Sequence, residues 1–169
     1  MRPRGVAGDI KVEQIPRAAI KDIRGALAEL VQLKQREWKL ALENARKSIA
    51  LVDELAGEGE VQAEIHELSR IVSNLINNAM EALGDRGEVV IKLLNVDTGV
   101  LIEVIDNGHG IPKEIAQRLL KEQVTFGKDK GHGLGLWNAR KRIEGWAGTL
   151  TIHSREGSGT KAAIGLKGS

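Results

Sequence analysis

The stretch that decides the fold is IDNGHGIP, residues 105–112, which directly follows the apolar run VLIEV, residues 100–104. Side chains alternate between the two faces of a strand, so Asp106 shares a face with Ile102 and Val104. A buried carboxylate needs a partner, because burying an isolated charge is costly. We interpret Asp106 as a hydrogen-bond acceptor at the floor of a pocket, held for a ligand donor such as an exocyclic amine.

Two glycines follow Asp106, and they leave two interpretations of the tripeptide DNG. It signals a hairpin turn when a second strand follows at once. Here HGIP and a helix predicted to begin at Pro112 follow instead. Gly108 and Gly110 have no Cβ, so they let the backbone bend and approach a ligand. We therefore favour a ligand pocket over a hairpin turn.

The segment ELSRIVSNLINNAMEAL, residues 67–83, is the most strongly predicted helix, because its apolar residues define one wide buried face. At about 100° per residue, Asn78 lies at the margin of this face, Asn74 lies one turn earlier on the same flank, and Asn77 points to water. Two amide oxygens suit Mg²⁺ when that ion is bound mainly through substrate phosphates. Hydrogen bonds to neighbouring loops are an equal alternative.

A glycine-rich segment, GKDKGHGLGLWNAR, residues 127–140, is predicted to lead into another helix. The unpaired N–H groups at a helix N-terminus attract anions, and glycines let the backbone wrap a polyphosphate. The segment lacks the Walker pattern and does not follow a buried strand as a dinucleotide fingerprint does. A mobile surface loop is the alternative.

The other elements are predicted from periodicity and turn residues. An N-terminal helix follows Pro16 and runs to about Ala45, and Gly148 is placed to end the last helix. Strands and the remaining helix are predicted in SIALVDELAGEGEVQAEI, EVVIKLL, VLIEVI, PKEIAQRLLKE, TLTIHS and KAAIGL. The pattern predicts an α/β two-layer sandwich: a mixed, mostly antiparallel sheet covered on one face by about three helices, with an N-terminal helix. We divide the chain into a helical segment, 1–45, and a main domain, 46–169.

Composition excludes several classes of function. The net charge is only +2, and the Lys and Arg residues are spread along the chain. Both facts argue against nucleic acid or an anionic membrane as a partner. The absence of cysteine excludes disulfides and thiol catalysis, and the four histidines lack ligand spacing. With no apolar run near the roughly 20 residues that span a bilayer, we expect a soluble, cytoplasmic chain.

Three elements occur in order along the chain: amides that suit Mg²⁺, a carboxylate that suits a nucleobase, and a glycine segment that suits phosphates. Together they predict a nucleoside triphosphate site. Over residues 46–166 the chain resembles the ATP-binding domain of sensor histidine kinases, in the GHKL superfamily with the Bergerat fold. ELSRIVSNLINNAMEAL is similar to the N box, DNGHG to the G1 box and GHGLGL to the G2 box. The resemblance implies ATP and Mg²⁺ as cofactors.

The resemblance also implies a role for each matching residue. Asp106 accepts a hydrogen bond from the adenine amino group, Gly108 and Gly110 shape the adenine pocket, and the Thr160 hydroxyl lines it. Asn78 is the main Mg²⁺ ligand and Asn74 assists. The ATP lid contains the phosphate-reaching Lys128 together with Gly131, His132, Gly133, Leu134 and Gly135.

Asn74 occupies the position where other branches of the superfamily usually place a glutamate base. The chain is therefore expected to present ATP to an outside acceptor. In sensor kinases that acceptor is a histidine on a dimerisation hairpin, and His66 begins the N-box helix instead, so we expect the acceptor outside this chain. Residues 16–45 are interpreted as the tail of the hairpin.

The resemblance implies a homodimeric, two-component kinase that serves a response regulator receiver domain and whose full-length form can carry an inner-membrane anchor. Two alternatives stay open. The chain could be an anti-sigma-type serine kinase, or a module that uses ATP only to switch a protein contact.

Overall fold

The computed structural model describes residues 19–121 and 132–169, with side chains from 135 onward in the second range. The helices are α1 (Ile23–Asn44), α2 (Ile65–Ala82), α3 (Lys113–Lys121) and α4 (His132–Gly145). The strands are β1 (Ala19–Ile20), β2 (Ser48–Leu55), β3 (Val61–Gln62), β4 (Arg86–Val96), β5 (Gly99–Asp106), β6 (Thr149–Arg155) and β7 (Gly159–Lys167). No helix within these ranges is long and apolar enough to cross a membrane.

Five strands form one mixed sheet in the order β2-β4-β5-β7-β6. β2 runs parallel to β4, and the other neighbouring pairs are antiparallel. β1 and β3 pair separately as a short antiparallel ribbon. The predicted mixed, mostly antiparallel sheet is confirmed, and β4–β5 and β6–β7 each form an antiparallel hairpin.

The helices cover one face of this sheet. α1 packs against β2 and α2, α2 against β5 and α4, and α3 and α4 against β6. Alternate residues of β5, including Ile102 and Val104, are buried in the core under α2, as strand alternation predicts. Asp106 ends this buried row, so the core itself positions the carboxylate.

Helix α1 shares the core of the whole sheet. Its residues Ile23, Leu27 and Val31 are almost fully buried in the same apolar cluster as α2 and the central strands. The Asp22 side chain accepts a hydrogen bond from the Gly25 N–H and begins the helix. The division at residue 45 stays a prediction, although the part of 1–45 that is described packs on residues beyond it.

The end of α4 differs in detail from its prediction. Ala147, with φ of 63°, occupies the left-handed position that Gly148 was expected to fill. The Ala147 and Gly148 N–H groups donate to the carbonyls of Glu144 and Ile143, both at 2.9 Å, which completes a Schellman motif. A Cβ on Gly148 would lie 2.5 Å from the Gly165 carbonyl oxygen, so this glycine serves a close approach of two backbone segments.

Candidate nucleotide-binding site

Asp106 lies at the carboxyl end of β5, on the face that the helices cover. Its side chain is 7% exposed, and its Oδ1 accepts a hydrogen bond of 2.8 Å from the Gly108 N–H. Burial raises the pKa of Asp106, while the N–H groups of Gly108 and Thr160 and the nearby His109 oppose that increase. The site therefore contains a buried acceptor whose charge is only partly compensated by the chain.

The loop after Asp106 is wedged between α2 and the β6–β7 hairpin. The His109 N–H donates to the Ala82 carbonyl at 3.4 Å, and the His109 carbonyl accepts from the Gly157 N–H at 2.6 Å. On the hairpin side, the Ile111 N–H donates to the Ser154 Oγ at 2.8 Å. These contacts hold the loop at fixed positions on both sides.

The two glycines of the loop permit this close packing. A Cβ on Gly108 would lie 2.6 Å from the Ala82 carbonyl oxygen. Gly110 has φ of 68°, and a Cβ there would collide with the Arg155 carbonyl oxygen. The close approach seen in the structure is thus to the chain's own backbone, whereas the sequence predicted an approach to a ligand. A role in shaping an adenine pocket stays a prediction.

Asn74 and Asn78, predicted to act together, line the same cavity between α2 and α4. The cavity has a volume of about 190 Å³ and is lined by Ile71, Asn74, Leu75, Asn78, Gly135, Leu136 and Ala139. The Asn78 Oδ1 is buried and makes no hydrogen bond to the described chain. An orphaned buried amide oxygen beside a second amide fits an oxygen-seeking cation.

Asn77 was predicted to point to water, and this prediction is wrong. It is half-buried, and its Oδ1 accepts a hydrogen bond of 3.2 Å from the Trp38 indole N–H. The reason is that α1 covers this side of α2, a contact between residues 39 positions apart. Asn77 therefore joins α2 to α1, whereas Asn74 and Asn78 line the cavity.

The glycine-rich segment begins its helix earlier than predicted. α4 starts at His132, so Gly133, Leu134 and Gly135 belong to its first turn, and Gly135 lines the cavity. The first N–H groups of a helix have no partner within it, so this turn leaves N–H groups available to a ligand. The predicted lid residues Lys128 and Gly131 lie outside the described residues.

Thr160 lies directly beside Asp106 in the sheet. The two residues are register partners on β7 and β5, so their side chains project from the same face. The Thr160 Oγ1 is 2.8 Å from the Ser154 Oγ, and Ser154 is in turn the register partner of Thr160 on β6. The sheet thus brings the predicted residues Asp106 and Thr160 together.

The roles of two residues of the site were not predicted from the sequence. Ser154 joins the loop to the closing hairpin, and the Asn107 Oδ1 accepts a hydrogen bond of 2.9 Å from the Glu88 N–H at the start of β4. Asn107 belongs to the DNG motif, which was a signal for a special role. Ser154 carried no signal in a single sequence, because its partners come from a distant loop and from the next strand.

Helix α2 connects the two halves of the site. Asn78 lies one turn before Ala82, whose carbonyl contacts the loop after Asp106. The cavity with its amides and the carboxylate with its glycine loop are consequently positioned by one rigid element. This arrangement suits an elongated ligand with a base at one end and anionic groups at the other.

Comparison with known proteins gives a family match over residues 63–168, to the model described as histidine kinase-, DNA gyrase B- and HSP90-like ATPase. Sporulation kinase E of Bacillus subtilis (strain 168) is 31% identical over 126 residues, which are 74% of this chain and 16% of that protein. The sensor histidine kinase ZraS of Escherichia coli (strain K12) is 32% identical over 63% of this chain and 23% of its own length. The chain thus spans less than a quarter of these two relatives.

Solved structures share the fold. The mycobacterial sensor histidine kinase MprB matches with a TM-score of 0.73 and 21% identity, over 90% of this chain and 98% of that one. Full-length ShkA in complex with AMPPNP matches with a TM-score of 0.70 and 21% identity, over 92% of this chain and 32% of that one. Because residues 46–169 make up less than three quarters of the chain, both matches extend into the first 45 residues.

Proposed function

The chain belongs to the family of histidine kinase-, DNA gyrase B- and HSP90-like ATPases, and from that premise we propose that it is the catalytic ATP-binding domain of a sensor histidine kinase. In this proposal it binds Mg·ATP and presents the γ-phosphate to a histidine on a dimerisation domain outside the chain. The observation that carries the proposal is the cavity between α2 and α4, with the orphaned Asn78 Oδ1 and no acid or histidine among the described residues that line it.

At the base end, the Asp106 carboxylate accepts a hydrogen bond from the exocyclic amine of adenine. Its low exposure makes this hydrogen bond strong, since water competes weakly for a buried acceptor. Gly108 and Gly110 hold the loop beside it in place. The neighbouring Thr160 hydroxyl offers the base a second polar contact.

At the phosphate end, the Asn78 amide oxygen is the main ligand for Mg²⁺ and Asn74 assists. When bound, Mg²⁺ neutralises part of the triphosphate charge. The first turn of α4, which contains Gly133 and Gly135, directs N–H groups and a helix dipole that favour an anion. We assign Lys128, Gly131, His132 and Leu134 to the same phosphate-binding segment.

Transfer rather than hydrolysis follows from the chemistry at Asn74. A neutral amide cannot take a proton from water, whereas a carboxylate at this position could act as a general base. The chain is therefore suited to positioning the γ-phosphate for in-line attack by a histidine nitrogen. The proposed partners are a homodimeric full-length kinase, which supplies the histidine, and a response regulator receiver domain.

The position of α1 bears on the domain boundary. We infer that α1 belongs to the ATP-binding unit and is not the tail of the acceptor hairpin, because Ile23, Leu27 and Val31 complete its core. Removing residues 1–45 is expected to leave this core open and to unfold the domain.

The test is calorimetric titration of Mg·ATP into the chain and into Asp106→Asn. A hydrogen bond to a charged group contributes about 1.5–3 kcal/mol, so the variant should bind about 10- to 100-fold more weakly. Asp97→Asn, at an exposed turn between β4 and β5, is the matched control and should bind as the parent does. Equal affinities of the Asp106 variant and the parent would refute the site.

A second experiment identifies the acceptor. The chain is mixed with γ-labelled ATP and the acceptor hairpin of its own full-length kinase, and the labelled protein is treated with acid. An acid-labile phosphate supports transfer to histidine, and an acid-stable phosphoserine would instead support a serine kinase. Unconsumed ATP after long incubation would contradict the kinase proposal and favour an ATP-switched interaction module.

A further inference from the structure

Ser154 lies in a row of three polar side chains that crosses the sheet. Ser154 on β6 is the register partner of Thr160 on β7, and Thr160 is the register partner of Asp106 on β5. Directly opposed residues project from the same face of a sheet. Ser154 is therefore separated from the carboxylate by the Thr160 side chain alone.

The Ser154 hydroxyl has three polar neighbours within hydrogen-bond distance. The Ile111 N–H lies at 2.8 Å, the Gly159 carbonyl oxygen at 3.1 Å, and the Thr160 Oγ1 at 2.8 Å. A hydroxyl has one proton to donate and two lone pairs that accept. The number of neighbours equals the number of hydrogen bonds that Ser154 can make.

The chemistry of these neighbours decides the direction of each hydrogen bond. The Ile111 N–H can only donate and the Gly159 carbonyl can only accept, so the Ser154 proton goes to Gly159. The remaining lone pair of Ser154 then accepts the proton of Thr160. No other assignment satisfies all three contacts.

Thr160 consequently turns its proton toward Ser154 and away from Asp106. Within residues 19–121 and 135–169 no other side chain forms a hydrogen bond with the Thr160 Oγ1, so its lone pairs can accept, beside a carboxylate that also accepts. Two adjacent acceptors favour a ligand group that can donate twice, such as an exocyclic amine, and disfavour a carbonyl oxygen at the same position.

We propose that Ser154 is a positioning residue for base selection: by holding the Thr160 proton, it keeps Thr160 an acceptor and biases the site toward 6-aminopurine over 6-oxopurine nucleotides. The inference rests on the proposed ATP site. It adds a residue that does not itself touch the base, and it gives Thr160 a defined hydrogen-bonding direction.

The test compares the affinities of Mg·ATP and Mg·ITP, which differ at the 6-position of the base, for the parent chain and for Ser154→Ala. In the variant the Thr160 proton is free to donate to a carbonyl. The ratio of ATP affinity to ITP affinity should therefore fall on the order of tenfold, about one hydrogen bond to a buried group. Ser154→Thr keeps the hydroxyl and should restore most of the ratio.

Ser158→Ala is the matched control, because Ser158 lies in the turn of the same hairpin and is exposed. It should leave the ratio unchanged. A purely structural role for Ser154 would weaken ATP and ITP binding by the same factor, and that result would overturn the proposal.

A further variant keeps the test decisive if Ser154→Ala unfolds. Thr160→Val keeps the shape of Thr160 and removes its oxygen, so it should lower the ATP-to-ITP ratio, and an unchanged ratio would overturn the proposal. If the proposed ATP site were wrong, the parent chain and Asp106→Asn would bind ATP with equal affinity. The two failures are thus distinguishable.

Discussion

The Trp38 indole N–H donates a hydrogen bond of 3.2 Å to the Asn77 Oδ1, and this contact joins α1 to the helix that carries Asn74 and Asn78. The pair is partly buried, and Trp38 also packs against the core. α1 thereby braces a flank of α2 next to the residues that line the cavity.

Trp38→Phe and Asn77→Ala should each destabilise the chain, and their effects should not add. Removing one neutral hydrogen bond costs about 0.5–1.5 kcal/mol, and the same amount should appear as coupling in a double-mutant cycle. Urea denaturation of the parent, both single variants and the double variant measures it. Simple additivity of the two changes would mean that the hydrogen bond contributes nothing.

Asp106→Asn should raise the free energy of unfolding at neutral pH. The pKa of Asp106 is raised in the folded chain, mainly by burial, because the buried carboxyl is more stable protonated than charged. Protonated Asp106 therefore favours the folded state below the unfolded-state pKa. This contribution is lost as pH rises through the folded-state pKa. The stability difference between variant and parent should therefore shrink on acidification. Thermal melts from neutral pH downward test this, and a less stable variant at pH 7.5 would contradict it.

Asn78→Ala should weaken ATP binding about tenfold or more in the presence of Mg²⁺, as expected for loss of a hydrogen bond or ligand to a charged group. With EDTA present, the parent and the variant should bind ATP alike. Asn74→Ala should show a smaller loss, because Asn74 is exposed whereas the Asn78 Oδ1 is buried without a partner. An equal loss with and without Mg²⁺ would remove Asn78 from the metal site.

Gly110→Ala should destabilise the chain by at least about 2 kcal/mol, since it combines a left-handed backbone with a collision against the Arg155 carbonyl. Gly84→Ala is the control, because a Cβ there meets nothing within 4 Å, and its effect should stay within about 0.5 kcal/mol. Urea denaturation compares the two. Similar stabilities of both variants would show that the loop adapts easily.

Ala147→Gly should stabilise the chain by about 0.5–1 kcal/mol, because glycine adopts a left-handed conformation without steric cost.

Gly145→Ala, at the last residue of α4, should stabilise by a similar amount of about 0.5–1 kcal/mol, because alanine loses less entropy in a helix. A Cβ on Gly145 meets nothing within 4 Å. Chemical denaturation checks both, and a less stable Ala147→Gly would show that this position is not strained.

Most of the architecture could be predicted because it depends on local patterns. The 3.6-residue period of α2, the alternation in β5 and the turn residues between strands each lie within one short segment. The resemblance to sensor kinase ATP-binding domains followed from three such segments in order, and the family match confirms it. The first turn of α4 was less predictable, since glycines permit both loop and helix.

The sequence by itself determined which chemistry is available: one acid at the end of a buried strand, two amides one helical turn apart, and glycines that let the backbone bend. The tertiary structure alone decided how these groups are used. The packing of α1 placed Trp38 within hydrogen-bond distance of Asn77. The strand register placed Asp106, Thr160 and Ser154 side by side. Contacts between distant residues depend on packing and register, and neither is recorded in the local spacing of one sequence.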